Sequence, residues 1–143
     1  MKNVLLLLTG FFGLVLTGCD SNDLFQSEKK MESKIQKSWL YVYPNLTDTR
    51  KEIWSFANGS VAVTFKLNAN TDTTIVGSYS VDTKVSKAYV HLSGFTYSGY
   101  TNSGFLSEDL NRKWTVSELS GDVMYLSATD SKGSIRSLEF IDF

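Results

Sequence analysis

The stretch WSFANGSVAVTFKL, residues 54–67, decides the fold of this chain. Its second half alternates between large apolar residues and small or polar ones, which is the period of a β-strand with one buried face. Trp54 and Phe56 alternate in the same way in the first half. Between the two halves, Asn58 and Gly59 form the strongest short hairpin signal, because both positions tolerate positive φ. The stretch therefore predicts two antiparallel strands in a defined register.

The same alternation recurs along the rest of the chain, with turn signals every eight to twelve residues. Apolar residues at alternate positions predict six further strands, around residues 39–43, 75–81, 88–92, 114–116, 124–128 and 138–140. Turns are predicted between them, the clearest at residues 82–86, 120–122 and 130–133. The pattern predicts an all-β fold, an eight-stranded antiparallel up-and-down meander that forms either a closed barrel or a two-sheet sandwich. Closure is favoured because it leaves no unpaired edge strand.

Composition indicates one domain that is stabilised by a core. The chain has 143 residues, with 14 Lys and Arg against 15 Asp and Glu, so its formal net charge is −1. This balance, with no basic cluster, gives no electrostatic footprint for nucleic acid. One cysteine cannot form an intramolecular disulfide. A domain of this size removes roughly two thirds of its surface from water on folding, which is sufficient without such a bond.

The N-terminal segment has the marks of a secretory signal. Lys2 supplies a positive charge, and residues 4–16 are apolar except for a threonine and two glycines. This apolar run is shorter than the about twenty residues that a membrane span needs. Charge, a short apolar stretch and small residues before the cut are typical of a signal peptide that is removed. The alternative is an uncleaved membrane anchor.

Cys19 closes the run Leu16-Thr17-Gly18-Cys19, which resembles the lipobox of bacterial lipoproteins. The resemblance implies cleavage before Cys19 and acylation of that residue, and two or more acyl chains anchor a protein stably. We expect a signal peptide at 1–18, a lipidated polar tether at 19–34 with one or two helical turns before Ile35, and a barrel domain at 35–143. The expected location is the bacterial cell envelope. Acidic residues after the cysteine are associated with inner-membrane retention in some bacteria and with surface export in Bacteroidota, and we favour the outer membrane.

Several structural motifs resemble those of the lipocalin-like lipoproteins common in Bacteroidota. They are Trp39 in the first strand, the aromatic-Asn-Gly hairpin, the Gly-Ser-Tyr-Ser-Val strand at 77–81, and the segments 113–119 and 124–126. The resemblance covers residues 36–143 and implies a small secreted eight-stranded barrel. Ser38 stands where a Gly-x-Trp opening is expected, and the chain is shorter than secreted lipocalins with deep ligand cups. These departures argue against a deep cavity.

No catalytic or metal-binding set emerges from the sequence. The one histidine, His91, lies in a strand on the face opposite Val90 and Leu92, and we expect a surface or hydrogen-bonded role for it. One histidine and no free cysteine do not supply the usual zinc ligands. Glu108 and Asp109 are adjacent, so in extended chain they point to opposite sides. We therefore expect no enzyme activity, no metal and no cofactor. Arg136 alternates with the inward residues of the last strand, and we expect it at the barrel rim.

A loop rich in Gly, Ser and Tyr, at residues 95–105, is the other candidate for function. It contains four aromatic rings, at Phe95, Tyr97, Tyr100 and Phe105. Aromatic side chains with polar tips suit recognition because they offer large contact area at small entropic cost. The loop either contacts a ligand or partner at the barrel mouth, or plugs the barrel end with its aromatic side chains.

The sequence supports two functions of different classes. The first is a lipid-anchored, non-catalytic barrel that binds a small apolar or amphipathic ligand. The second is a solid-cored subunit of the cell envelope whose surface contacts a protein or glycan. The first predicts a set of interior and mouth residues as ligand contacts. They are Trp54, Phe65, Tyr79, Tyr97, Tyr100, Phe105 and Trp114.

Overall fold

The computed structural model describes residues 27–42, 51–68, 71–96 and 110–143; for residues 66–68 and 71 it describes the main chain only. One helix precedes eight strands. The helix is α1 (Glu28–Ile35). The strands are β1 (Ser38–Tyr41), β2 (Glu52–Ala57), β3 (Ser60–Asn68), β4 (Thr71–Lys84), β5 (Lys87–Ser93), β6 (Lys113–Leu119), β7 (Val123–Thr129) and β8 (Ile135–Asp142).

The strands form a closed antiparallel barrel in sequence order. Closure is made by β1 and β8, where Leu40 lies opposite Ile141 and Tyr41 opposite Phe140. This pairing selects the barrel over the two-sheet sandwich and confirms the predicted eight-stranded antiparallel fold. We call the end where β2, β4, β6 and β8 finish the helix end, because α1 lies there. The opposite end, where β1, β3, β5 and β7 finish, is the loop end.

The β2–β3 hairpin forms as its sequence predicts. Asn58 has φ 49° and Gly59 has φ 77°, the left-handed values that a two-residue turn between twisted strands requires. Trp54 lies opposite Val63 and Phe56 opposite Val61, so the large residues of both strands face the interior.

Two elements differ from the prediction. β4 continues to Lys84, so the predicted turn at 82–86 contracts to a two-residue connection. This happens because Asp82 and Thr83 still find cross-strand partners on β5. β6 contains an irregularity between Val116 and Glu118, which shifts its alternation by one residue and turns Leu119 inward.

Helix α1 has eight residues, about the two turns expected, and lies in the second half of the predicted tether. The side chain of its N-cap, Ser27, accepts from the N–H of Lys30, and Glu28 at the start suits the helix dipole. Met31 and Ile35 lie on one face at a spacing of four residues, and both are buried against the barrel. Their burial contributes about 1.5–3 kcal/mol each. The helix is therefore a part of the folded domain.

The core is the barrel interior. It consists of the inward residues of all eight strands, with Met31 and Ile35 above them at the helix end. The three tryptophans, Trp39, Trp54 and Trp114, are fully buried within it.

Candidate functional site

The candidate site is the half of the barrel interior nearest the loop end. Trp54 and Phe65 face it from β2 and β3, and Trp114 faces it from the start of β6. Alternation from Trp54 also turns Glu52 inward, directly opposite Phe65. Glu52 is 0% exposed and is the one fully buried charged residue of the described chain. An apolar interior that contains one acceptor group is the common composition of a small-molecule site.

Glu52 is held in place by the indole of Trp54. The Nε1–H group of Trp54 donates to Oε1 of Glu52 at 2.8 Å. Burial of a carboxyl group is costly unless it is hydrogen-bonded, and this contact offsets part of that cost. The other two buried indoles donate to main-chain oxygens instead, Trp39 to Ile35 and Trp114 to Leu110. Trp54 is thus set apart from them by its side-chain partner.

Tyr41 lies at the same end of the interior. Burial is the main cause that raises the pKa of its hydroxyl to about 12, and the nearby charges of Glu52 and Glu139 add to the effect. The ring of Tyr41 packs edge-on against Phe140, with ring centroids 5.8 Å apart. The loop-end interior therefore contains a neutral phenol and a carboxyl group among apolar side chains.

An aromatic cluster fills the middle of the barrel, beneath this polar pair. The ring of Trp54 lies 6.2 Å from that of Phe56, 6.3 Å from Phe95 and 5.3 Å from Phe140. Such offset and edge-on pairs add about 0.5–1.5 kcal/mol each beyond area burial. A ligand would have to lie on the loop side of this cluster or displace part of it.

Tyr79, another predicted ligand contact, belongs to the helix end. Its ring packs edge-on against Phe56 at 5.1 Å. Burial raises the pKa of its hydroxyl, while the side chain of Gln36 at the end of α1 and the main chain of Gly59 lower it. The hydroxyl forms no hydrogen bond of good geometry among the described residues. Tyr79 thus lies away from Glu52 and near the helix.

The base of the aromatic loop is tied into the barrel. The side chain of Asn111 accepts from the N–H of Phe95 at 2.9 Å and donates to its carbonyl at 2.8 Å. Phe95 and Leu110 are both buried. The ring of Phe95 lies over Gly77, where a Cβ atom would come within 2.8 Å of it. Phe95 therefore plugs the interior, while the predicted contacts Tyr97, Tyr100 and Phe105 lie outside the described residues.

His91 and Arg136 lie on the outer surface of the barrel. His91 Nε2 lies 3.9 Å from Asp82 Oδ2, and Lys113 Nζ lies 3.4 Å from the same oxygen. These three side chains lie on the outward face of β4, β5 and β6. Arg136 is exposed at the loop end, and this is the position at the barrel rim that its sequence context predicts. Its Nε donates to Asp130 at 3.2 Å.

An open depression of about 350 Å³ lies on β4 beside the loop base, lined by Thr74, Ile75, Val76 and Thr96. Across the described ranges, no three His, Cys, Asp or Glu side chains gather into a metal site. The one described helix is too short and too polar to cross a membrane.

The fold defined by these strands is the lipocalin-like barrel. A lipocalin-like protein from Bacteroides uniformis ATCC 8492 is similar in structure, with a TM-score of 0.51 at 18% sequence identity. The match covers 77% of this chain and 99% of that protein. At this identity the likeness shows the shared fold. No protein-family model matches the chain, and no curated protein matches it.

Sequence reasoning missed three residues of the site. Glu52 stands two positions before Trp54, so extending the alternation by one step would have turned it inward. Tyr41 stands two positions after Trp39, so the same alternation turns it inward. Asn111 could not be found, because its two hydrogen bonds join segments sixteen residues apart. Cys19, the predicted lipidation site, lies outside the described residues and stays a prediction.

Proposed function

We propose that this protein is a lipid-anchored, non-catalytic binding protein of the bacterial cell envelope. The membrane that holds it is the outer membrane. Its ligand is a small apolar or amphipathic molecule that enters from the loop end. The observation that carries the proposal is the hydrogen-bonded Glu52–Trp54 pair in the loop-end interior, while α1 covers the other end. An apolar interior with one buried carboxyl group favours amphipathic molecules that present a donor group.

The proposal includes anchoring through Cys19. It is supported by the lipobox-like run and the short apolar segment before it, as set out above. The proposal that the protein performs no chemistry is supported by the position of His91, the chain's one histidine, on the outer face beside a carboxylate that Lys113 also contacts. A nucleophile held by a base and an orienting group needs a different arrangement.

A pair of ligands that differ only in the head group tests the site. Dodecylamine and dodecanoate are titrated into the protein, and the fluorescence of the buried tryptophans reports binding. We expect dodecylamine to bind more tightly, because its ammonium group can donate to Glu52. The variant Glu52→Gln should remove most of that preference, and Glu118→Gln, an exposed glutamate on β6, should leave it intact. Failure of both ligands to bind at millimolar concentration would refute the site.

A second function is favoured by the aromatic cluster around Trp54. Because four rings fill the middle of the barrel, the domain could serve as a solid-cored subunit that contacts an envelope protein or glycan. Native mass spectrometry of the protein purified from its own membrane separates the two functions. A bound small molecule adds hundreds of daltons, whereas a protein partner adds thousands.

A further inference from the structure

The β4–β5 hairpin ends in an unusual exposed tip. Val85 is 93% exposed, the largest exposure among the large apolar residues of the described chain. It stands beside Lys84 and Lys87, which lie directly opposite each other across the two strands. Within the described part of the chain, neither lysine's ammonium group forms an ion pair or a hydrogen bond. The tip thus presents one apolar side chain between two free ammonium groups.

Helix α1 carries two more lysines in its first turn, and its start lies beside the hairpin. The carboxylate of Glu28 accepts from the N–H of Thr83, which pins the start of the helix beside the hairpin. Met31 faces the barrel, so Lys29 and Lys30 lie on the opposite side of the helix and are exposed. We call Lys29, Lys30, Lys84, Val85 and Lys87 the hairpin patch.

The patch lies where the chain leaves the domain toward its anchor. Ser27, the first described residue, stands at the N-terminus of α1 and is exposed. Seven residues lie between it and Cys19, so the two are eight residue steps apart. Fully extended, eight residues span at most about 28 Å. If Cys19 is lipidated, the helix end is the end of the barrel that stays close to the bilayer.

Charge decides which side of the helix end faces the lipid. Asp122 is exposed on the β6–β7 connection, and Asp142 is exposed at the end of β8, where it forms an ion pair with Lys37 at 2.6 Å. On the hairpin side, Glu28 accepts from the N–H of Thr83 and Asp82 contacts Lys113, so the four lysines of the patch still outnumber these two carboxylates. In a closed barrel of eight strands in sequence order, β8 lies opposite β4. A negative membrane surface attracts the lysine side and repels the carboxylate side. The barrel would therefore tilt, with the hairpin toward the headgroups.

We propose that the hairpin patch is a docking surface for anionic phospholipid headgroups, with Val85 inserted between them. The proposal rests on lipidation of Cys19, which holds the patch within reach of the bilayer. The lysines then contact phosphate groups, and the apolar side chain enters the headgroup region between the stems of its neighbours. In this orientation the loop end, with the Glu52–Trp54 site, points away from the membrane.

A fluorescent probe at two matched serines tests the orientation. The lipidated protein is reconstituted into vesicles of phosphatidylglycerol and phosphatidylcholine in equal parts, with an NBD label on Ser86→Cys or on Ser131→Cys. Acylation of Cys19 leaves the introduced thiol as the one site for labelling. Ser86 lies at the hairpin tip and Ser131 in the β7–β8 turn at the loop end, and both are exposed. Spin-labelled lipid headgroups should quench the Ser86 probe at least about twofold more strongly than the Ser131 probe, because a nitroxide quenches only at short range and the seven-residue strands hold the two probes about 20 Å apart.

Lysine variants test the charge. Lys84→Gln with Lys87→Gln should lower the ratio of docked to undocked protein by about fivefold for each lysine, the factor for one charge near an anionic surface. Lys51→Gln with Lys132→Gln changes the net charge equally but lies at the loop end, and it should leave the ratio unchanged. Vesicles of phosphatidylcholine alone should abolish the preferential quenching.

Mass spectrometry of the same preparation reports the acyl chains on Cys19. If they are present and the two probes are quenched equally, the docking surface is wrong while the anchoring stands. Equal effects of the two lysine pairs would also overturn the docking, since net charge alone would then explain the attraction. If acyl chains are absent, the anchoring itself is refuted, and the docking surface falls with it.

Discussion

Replacing Gly77 by alanine should destabilise the barrel, because an added Cβ atom has no room there. A Cβ atom at this position would lie 2.8 Å from Cε2 and Cζ of Phe95 and 2.8 Å from the carbonyl oxygen of Ser93. Ordinary contacts begin at 3.4 Å, so the neighbours must move by about 0.6 Å. The ring packs against Trp54, and the oxygen belongs to β5, so neither can move freely.

The magnitude follows from two opposing effects. Overpacking of this kind costs about 1–3 kcal/mol. Alanine also restricts the unfolded chain, which returns about 0.4–1 kcal/mol. We expect a net loss of about 1–2 kcal/mol in the free energy of unfolding, measured by urea denaturation of the chain from Asp20 onward with tryptophan fluorescence as the signal. Gly121→Ala is the matched control, because nothing lies within 4 Å of its added Cβ, and it should be neutral or slightly stabilising.

A double-mutant cycle isolates the contact with Phe95. Phe95→Leu removes the two ring atoms that meet the new Cβ, so Gly77→Ala should cost at least about 0.5 kcal/mol less in that background. The remaining cost comes from the carbonyl of Ser93. If Gly77→Ala is as stable as Gly121→Ala, or costs the same with and without the ring, the close approach of Phe95 to β4 is incorrect.

Four further predictions concern single groups. Burial, with the charge of Glu52 nearby, raises the pKa of Tyr41 from 10.0 to about 12. The stability that the neutral hydroxyl contributes is therefore complete below pH 10 and is lost as the pH rises through 12. In urea titrations over this window, the free energy of unfolding of the wild type should fall by about 2–3 kcal/mol more than that of Tyr41→Phe. The pKa of Asp130 is lowered from 3.8, chiefly by the N–H of Ser134. The stability that its carboxylate contributes is present above pH 3.8 and is lost as the pH falls through the pKa of the folded state. In Asp130→Asn the free energy of unfolding should therefore fall less steeply at acid pH than in the wild type, and an equally steep fall would contradict this. Asn111→Ala removes both hydrogen bonds to Phe95 and should cost about 1–3 kcal/mol, with faster amide exchange at Phe95 as the local readout; unchanged exchange would show that the loop base is held by other contacts. Cys19→Ala should leave an uncleaved precursor or release the protein to the soluble fraction, and normal processing with membrane retention would refute lipidation.

The strand pattern was accessible from sequence because its causes are local. Alternation places Trp54, Phe65 and Trp114 inside, and the Asn58-Gly59 pair sets the hairpin without reference to the rest of the chain. The site was only partly accessible. Phe95 belonged to a glycine-rich loop with no period, so no pattern could distinguish an inward plug from a contact on the barrel mouth.

By itself, the sequence determined eight strands, most of their turns and most of their inward faces, because a period of two and turn-forming residues act over a few neighbours. It also carries the lipobox-like run at Cys19, whose lipidation stays a prediction. Only the tertiary structure decided that β1 pairs with β8, that α1 covers one end through Met31 and Ile35, and that the hairpin tip meets the start of that helix. These contacts join residues far apart in the chain, and their free energy depends on packing and charge that no local pattern encodes.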